Sequence, residues 1–449
     1  MATSPRAFLI ELYREYLEEA SFLYEQRLAL LDDPEISWKD LGEFEERFEA
    51  HIDGLMVGEE LAVEVCMERA EEGDFGELHA AVRVFCRRNR MDLVLRVLEG
   101  LEPEDADKGN AVANALKDEL PGEWQGKFIE MLSERGDDPK SVFVLAAVFG
   151  HRRMGATVEL LNAMPKAPDS VLPKVLRALG RLRDRDSQDG LVRYLRHEDD
   201  LVRETAALAV LRAGNRDFLD QIREQARGGR SLIIPLGLAG DRSALEILSG
   251  AAWTGQSKAE IPIAMGLLGD VAAVPKLLSS LEDPEAAESA ALALQIITGA
   301  QLDEEVFVPD EVDEDELSEE EREKWKAGER PMRPDGRPFG TTVQRLSADP
   351  GRWRKWWAAN GSRFDPNVRY RKGKPFSPAC LLETLESEKS PRFVRQMAYE
   401  ELVIRYDIDV PFETDMPVAQ QVRALALLSD RSRGDRFRDG AWYFAGRPM

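Results

Sequence analysis

Apolar residues recur along this chain with the spacing of one face of an α-helix. In residues 200–214 (DLVRETAALAVLRAG) the apolar and small positions follow helical spacing, and after a short turn the stretch FLDQIREQARGG repeats the pattern. This spacing indicates amphipathic helices, because residues three and four apart share a helix face. The pattern therefore predicts a pair of helices over residues 200–228.

Such helix pairs repeat at a nearly constant interval. Short apolar stretches end at Gly150, Gly180, Gly214, Gly240, Gly269 and Gly299, which are 30, 34, 26, 29 and 30 residues apart. A steady period of this size is typical of stacked helical arrays, in which each repeat packs on its neighbours. We therefore predict an all-α solenoid of helical hairpins, with each glycine stopping its helix in the left-handed conformation.

The array is predicted over residues 58–302 and is preceded by an acidic cap. Residues 1–57 read as two helices, and the first 60 residues hold 16 acidic and 5 basic side chains. A polar outer face on a terminal element keeps the end of a helical stack soluble. We therefore predict an N-terminal helical cap.

Charge also marks an insertion after the array, over residues 303–376. Residues 303–323 hold 13 acidic side chains and 1 basic one, whereas residues 324–374 hold 14 basic and 4 acidic ones. Glycine, proline and charge dominate both parts, which predicts a loop or a partly disordered segment. Helical spacing returns over residues 377–449, where we predict at least one further repeat and a tail.

The composition as a whole is strongly acidic. The formal net charge of −24 disfavours binding of the whole molecule to phosphate backbones or anionic membranes. The N-terminus lacks a basic start followed by an apolar run, so we predict no signal peptide. The longest apolar run, Val142–Phe149, is much shorter than the roughly 20 residues of a membrane helix. We expect a soluble, cytoplasmic protein.

Two resemblances add to this picture. The stretch VLPKVLRALGRLRDRDSQDGLVRYLRHEDDLVRETAALAVLRAG resembles HEAT repeats of the short bacterial kind that is also seen in bilin lyases. The pieces FLYEQRLALL, AHIDGL, RWRKWWAANGSRF, RYRKGKPFSP and VPFE, in that order, resemble an uncharacterised bacterial HEAT-repeat family loosely associated with type VI secretion gene neighbourhoods. The family brings no catalytic residues with it. It implies a HEAT-like solenoid that is accessory to other proteins and binds them.

Residues with metal-binding or catalytic spacing are scarce. Di-iron hydroxylases with HEAT-like folds use repeated His-Glu pairs, and this chain has one such pair, His197-Glu198, at a predicted turn. We find no phosphate-binding loop, nucleophile elbow or zinc spacing. We therefore predict no metal, no cofactor and no catalytic residue. The enzyme alternative is a lyase or a base-excising hydrolase, for which Trp253 near Glu260 is the position to inspect.

The second helix of each pair carries a row of basic residues. In a solenoid the second helices normally line the concave side, where partners bind. The row consists of Arg193, Arg196, Arg223, Arg227, Arg242 and Lys276. One interpretation is a solvated face with local charge pairs, and the other is a groove for an acidic peptide or helix. We name this row the basic stripe and predict that it contacts a partner along the concave side.

A second candidate surface is the segment GRWRKWWAANGSRFDPNVRYRKGKPFSP. It mixes aromatic and basic side chains, which can stack bases and hold phosphates. However, its three tryptophans share one helical face, which is typical of a helix that docks on a core. Tryptophan, tyrosine and arginine are also enriched at protein interfaces. The predicted contact residues are Trp353, Arg354, Trp356, Trp357, Arg369, Tyr370 and Arg371.

Together these patterns predict a non-enzymatic scaffold or adaptor that binds another protein through an acidic or helical segment. The alternative is a nucleic-acid-binding protein that uses the basic and aromatic residues of 324–374.

Overall fold

The fold is all-α, as predicted. The computed structural model describes residues 4–184, 187–227, 232–251, 257–310, 317, 319–326, 328, 332, 337–434 and 436–449. It is 68% helical, with 23 α-helices in the described residues and short strands that form three two-stranded antiparallel sheets. None of the helices in these ranges is long and apolar enough to cross a lipid bilayer.

Eighteen helices precede the insertion. Their bounds are α1 Pro5–Leu30, α2 Leu41–Val57, α3 Glu59–Glu72, α4 Phe75–Arg87, α5 Met91–Gly100, α6 Ala106–Glu119, α7 Gln125–Glu134, α8 Pro139–Arg152, α9 Thr157–Ala163, α10 Leu172–Leu182, α11 Gln188–Val192, α12 Asp200–Arg212, α13 Arg216–Arg227, α14 Ile233–Ala239, α15 Ser243–Gly250, α16 Ser257–Leu268, α17 Val274–Ser280 and α18 Ala287–Thr298.

The remaining elements follow the array. They are β1 Asp303–Pro309, α19 Glu319–Lys326, β2 Gly340–Leu346, α20 Pro350–Asn360, β3 Tyr370–Arg371, β4 Lys374–Pro375, α21 Pro378–Glu386, α22 Arg392–Tyr406, α23 Val418–Ser432, β5 Tyr443–Phe444 and β6 Arg447–Pro448. Part of the insertion that we predicted to be a loop is therefore a β-hairpin, in which Asp303 pairs with Leu346 and Pro309 with Gly340.

The helix pairs stack in chain order in two layers. The even-numbered helices α4 to α18 pack each on the next and form an inner layer, and the odd-numbered helices α5 to α17 lie outside it. The inner helices are the more apolar: all of α14 is buried, whereas α13 buries Phe218, Leu219, Ile222 and Ala226 along one face. A helix that is apolar on all sides needs neighbours on all sides, which explains the inner layer.

Three of the six repeat glycines end their helices as predicted. Gly214, Gly269 and Gly299 have φ angles of +78°, +74° and +62°, the left-handed region that glycine enters without steric cost. Gly240 instead follows α14 in an extended conformation, with φ −67°.

The prediction of helix stops at Gly150 and Gly180 is wrong. Both glycines lie inside their helices, and the left-handed positions belong to Arg153 and Arg183, with φ 55° and 54°. A Cβ atom on Gly180 would lie 2.6 Å from the Cα atom of Ala209 on the next inner helix. Glycine is therefore required here because two helices cross at close range.

The C-terminal region folds back onto the array instead of extending it. Helix α22 packs against α12 and α14, and β3 packs against α18, so the further repeat that we predicted after α18 does not stack there. At the other end, α1 and α2 pack on α4. The two termini also meet, since Arg27 Nη2 donates to the carbonyl oxygen of Asp415 at 2.9 Å and the Val418 N–H donates to Glu45 at 2.7 Å.

Buried arginines attach this C-terminal region to the ends of inner helices. Arg369 donates to the carbonyl oxygens of Leu267 and Leu268 in the last turn of α16, at 2.7 and 2.6 Å. Arg405 donates to the carbonyl oxygens of Gly237 and Gly240 at the end of α14, both at 3.1 Å. Cationic donors are favourable at helix C-termini, where carbonyl oxygens lack partners and the helix dipole is negative.

Candidate functional site

The basic stripe lies on the layer of odd-numbered helices, and we therefore call it the outer stripe. We predicted that these second helices line the concave side. Instead, the first helices of the pairs, which are the even-numbered ones, pack against the N- and C-terminal regions. The reason is that the chain termini fold back over the inner layer, which no local pattern encodes. Whether the outer stripe binds a partner stays a prediction.

Several cations of the outer stripe have partners within the chain. Arg223 pairs with Asp220 at 2.8 Å and with Asp241 at 2.9 Å. Arg242 Nε pairs with the fully buried Asp270 at 2.9 Å. Lys276 Nζ donates to the carbonyl oxygen of Ser249, and the Arg193 guanidinium lies over the Tyr194 ring. Arg196 also has a partner within the chain. Arg227 is exposed at the end of α13. The stripe thus resembles the solvated face with local pairs that was one of the two interpretations.

The tryptophan helix α20 docks on the array. Trp353 is 1% exposed, and its Nε1 donates to the carbonyl oxygen of Ser347 at 2.7 Å. Trp356 and Trp357 are half-buried, and the Trp357 ring lies 5.4 Å from the ring of Phe364. The helix packs against α17. Its tryptophans therefore contribute mainly to packing.

The basic part of the same segment is largely internal. Arg369, Tyr370 and Arg371 are 1%, 6% and 1% exposed, so no partner can reach them in this structure. We remove these three residues and Trp353 from the predicted binding surface, because long-range packing has buried them. Arg354 remains exposed and forms an ion pair with Glu282.

Two further exposed cations of 324–374 have acidic partners. Arg352 pairs with Glu304 of β1 at 3.2 Å, and Lys374 pairs with Glu383 at 2.7 Å. These pairs neutralise charge that a nucleic acid would need, so no observation favours the nucleic-acid alternative. Trp253 lies outside the described residues, and no three His, Cys, Asp or Glu side chains within the described ranges are grouped to hold a metal ion.

The strongest candidate site is a cleft between the inner layer and the chain termini, which we name the inner cleft. It consists of two cavities of about 340 and 330 Å³ that share Arg392 and Asp415. Helices α4, α6, α8, α10 and α12 form one wall, and α1, α2, the start of α22 and residues 413–417 form the other. Its polar lining includes Tyr24, His79, Asn114, Lys117, Asp118, His151, Arg177, Arg181 and Thr205.

Two rows of polar side chains face each other on the inner layer. Lys174, Arg177 and Arg181 lie on one face of α10, and Asn110, Asn114 and Lys117 lie on one face of α6, because each row has i, i+3 or i+4 spacing. Lys174 Nζ donates to Asn110 Oδ1 at 3.0 Å, so it reaches past α8 to the helix beyond. The two rows therefore converge on one space.

Phe143 of α8 forms the floor between the rows. The Lys174 Nζ atom lies 4.7 Å from the centroid of the Phe143 ring, a cation–π distance. On α6, Lys117 Nζ donates to Asn114 Oδ1 at 3.1 Å. The two ammonium groups are thus oriented by neutral partners, which do not cancel their charge.

Burial and like charges depress the basicity of this cluster. Burial, followed by Lys117 and Arg177, lowers the pKa of Lys174 to about 8, and Asp415 offsets this only in part. Burial and then Arg181 lower the pKa of Arg177, and the carboxylates of Glu413, Glu400 and Asp415 offset this only in part. At neutral pH the cleft therefore holds several cations under mutual repulsion.

Opposite this cluster, one buried carboxylate is already engaged. Glu413 forms an ion pair with Arg181, and its Oε1 lies 3.3 Å from His151 Nδ1. Burial opposes ionisation, but Arg181 and His151 hold the pKa of Glu413 well below its usual value. Glu413 is therefore charged and paired with Arg181, and it compensates Arg177 and Lys117 only through longer-range electrostatic attraction.

The end of the cleft near α1 is aromatic. The Tyr24 and His79 rings stack with centroids 3.8 Å apart and planes 9° apart, and Asn114 Nδ2 donates to the Tyr24 hydroxyl at 2.9 Å. Burial, and then Arg83, lowers the pKa of His79 well below its usual value. The imidazole is therefore neutral, and at this end of the cleft the stacked rings lie beside the ion pairs Arg27–Glu45 and Arg83–Glu49.

Comparison with known proteins found no match. No family model, no curated protein and no solved structure is significantly similar to this chain. The resemblance to HEAT-repeat proteins stays a prediction from the sequence, and function must be argued from the inner cleft itself.

The sequence did not lead us to the inner cleft, because we expected partners to bind to the second helix of each pair. The signal was present in LPKVLRALGRL, where Lys174, Arg177 and Arg181 occupy one face of an otherwise apolar first helix. A polar face on a helix of an inner layer indicates that some of that layer is open to solvent.

Proposed function

We propose that this protein is a non-enzymatic scaffold or adaptor that holds a segment of another protein in the inner cleft. The observation that carries the proposal is that Lys117 of the α6 row and Arg177 and Arg181 of the α10 row line a space that the chain's own termini leave unfilled. Lys174 connects the two rows through its hydrogen bond to Asn110. A cleft with such pre-oriented polar groups binds without the cost of ordering them.

The shape and lining of the cleft support a polypeptide partner. Two cavities in series, joined at Arg392 and Asp415, form an elongated space. Apolar side chains border the polar rows, namely Leu28 and Phe44 in one cavity and Leu208 and Phe393 in the other. An amphipathic segment presents both kinds of side chain, and helix-in-groove recognition uses this combination.

The histidines of the cleft have roles within the fold. His151 faces Glu413, and His79 stacks on Tyr24, as described above. These contacts support a binding role for the cleft over acid–base chemistry. The predicted accessory role beside other proteins, which the resemblance implies, agrees with this proposal.

Affinity purification from the native host, with mass spectrometry, tests the proposal. Three baits are compared: the wild type, the cleft variant Lys117→Glu/Lys174→Glu/Arg177→Glu, and the outer-stripe variant Arg193→Glu/Arg196→Glu/Arg223→Glu. We expect the cleft variant to recover at least about tenfold less of a specific partner, because charge reversal replaces attraction with repulsion. The outer-stripe variant should recover the partner at the wild-type level, and all three baits should keep the same helical circular dichroism.

The opposite result has a clear meaning. If the outer-stripe variant loses the partner and the cleft variant retains it, the outer stripe is the binding surface. If the recovery of every protein is the same with all three baits, neither surface binds a partner and the scaffold proposal is wrong.

A further inference from the structure

The cations at the inner cleft differ in their partners: Lys117 and Lys174 form no ion pair in the described residues, whereas Arg181 pairs with Glu413. Lys117, Arg177 and Arg181 each lower the pKa of Lys174, and Asp415 is the acidic group that acts against them. Arg177 has no hydrogen-bond or ion-pair partner in the part of the chain that the structure describes. We name Lys117, Lys174, Arg177 and Arg181 the cation cluster.

The fold holds these like charges together with neutral contacts. Lys174 is tied to Asn110, at 3.0 Å, and Lys117 to Asn114, at 3.1 Å. Amide oxygens orient an ammonium group without neutralising it. The repulsion is therefore built into the folded state, and an anionic ligand that enters the cleft relieves it.

We propose, on the basis of the proposed function, that the cation cluster binds two or more carboxylates of an acidic segment of the partner protein. Lys174 and Arg177 are one helical turn apart, so their partners should be spaced by about 5–7 Å. Acidic side chains at i and i+3 or i+4 of a helix, or at i and i+2 of a strand, have this separation.

Acidic groups around the cluster favour a peptide over a polyphosphate chain. Asp118 and Glu49 line the cavity that Lys117 also lines, and Asp415 lines both cavities. A continuous phosphate backbone would meet these carboxylates as well as the cations. A peptide can place acidic side chains on the cluster and apolar or polar ones elsewhere.

The test measures fluorescence anisotropy of a labelled eight-residue oligoglutamate with the full-length protein. We expect the oligoglutamate to bind and an oligoglutamine of the same length not to bind. Arg177→Gln should weaken binding by about tenfold, the usual loss for one charge-assisted contact. The matched control Lys276→Gln, on the outer layer, should bind like the wild type.

A pH series adds a readout specific to Lys174. Because Lys174 loses its proton near pH 8, oligoglutamate affinity should fall as the pH rises from 7 to 9. Lys174→Arg keeps its charge throughout this range, so it should bind at pH 9 as it does at pH 7.

Equal binding by the wild type and Arg177→Gln would overturn the inference. So would displacement of the peptide by inorganic phosphate at an equal concentration, since that result would assign the cluster to phosphate. Either result leaves the proposed function standing if the cleft variant still loses its partner in the affinity purification. Failure of that purification, with oligoglutamate binding intact, would overturn the proposed function alone.

Discussion

At the scale of single residues, the inner face of the array changes the acid–base properties of its side chains in both directions. On α10 burial lowers the pKa of Lys174, and on α12 it raises the pKa of Glu204 to about 7, with a further contribution from Glu260. Both shifts have the same leading cause, since burial disfavours the charged form of any group. Ionisable side chains that are buried on this face therefore lower the free energy of unfolding when they are charged.

Glu204→Gln should therefore stabilise the protein above neutral pH. The pKa of Glu204 rises from 4.5 in the unfolded chain to about 7 in the folded one, so the folded state binds the proton more tightly. The free energy of unfolding then decreases as the pH rises between these values. After allowance for solvent screening, we expect the variant to gain about 1–2 kcal/mol at pH 8 and less at pH 5.

Urea unfolding at the two pH values measures this difference. Glu246→Gln, at an exposed position on α15, is the matched control and should show no pH-dependent gain. A gain for Glu204→Gln that is the same at both pH values would show that burial of the charge is not its cause.

At the scale of elements, the inner helices cross through glycine and alanine. A Cβ atom on Gly150 would lie 2.7 Å from the Cα atom of Ala178, and one on Gly266 would lie 2.7 Å from the Cα atom of Ala293. Contacts this short leave no room for a methyl group against backbone. The repeated glycine thus sets the distance between successive helix pairs.

Gly180→Ala should accordingly destabilise the protein, although alanine favours helices. The new Cβ atom would meet the Cα atom of Ala209 at 2.6 Å, and we expect a loss of about 1–3 kcal/mol. The control is Gly126→Ala in α7, where nothing lies within 4 Å of the added Cβ atom. That variant should gain up to about 1 kcal/mol from helix propensity. Thermal unfolding of both variants beside the wild type gives the comparison, and a stabilised Gly180→Ala would contradict the close crossing.

At the level of the whole molecule, one buried carboxylate holds the arginines that attach the C-terminal region to the array. Glu401 forms ion pairs with Arg369 at 2.7 Å, with Arg405 at 3.3 Å and with Arg371, and all four side chains are buried. Burial lowers the pKa of Arg369 to about 9. Three guanidinium groups around one carboxylate are stable only while that carboxylate is present.

Glu401→Gln should therefore loosen the C-terminal region. Removal of one partner of a buried ion pair typically costs about 3–5 kcal/mol, because it leaves charges unpaired in the interior. Hydrogen exchange should accelerate in α22 more than in α4, which lies at the far end of the array. Glu383→Gln, which breaks the exposed pair with Lys374, should cost no more than about 1 kcal/mol. Unchanged exchange in α22 would show that Glu401 does not hold this region in place.

Local sequence patterns specify the helices. The helical spacing of 200–228 predicts α12 and α13, because amphipathic periodicity is a local property that each helix carries in its own residues. The shared face of Trp353, Trp356 and Trp357 predicted a docked helix for the same reason. The glycine period was also visible, but the prediction of helix stops at Gly150 and Gly180 was wrong. A helix stop and a close helix crossing both favour glycine, so the residue alone does not distinguish them.

The tertiary structure alone decided which faces are open. Arg369 and Arg371 look like an exposed basic patch in the sequence, and they are buried because their segment folds onto residues 267 and 268, about a hundred positions earlier. Arg177 and Arg181 looked like ordinary helix residues, and they line a cleft because α22 and residues 413–415 border the face that they occupy. Local periodicity tells which residues share a face, whereas contacts between distant parts of the chain decide what covers that face.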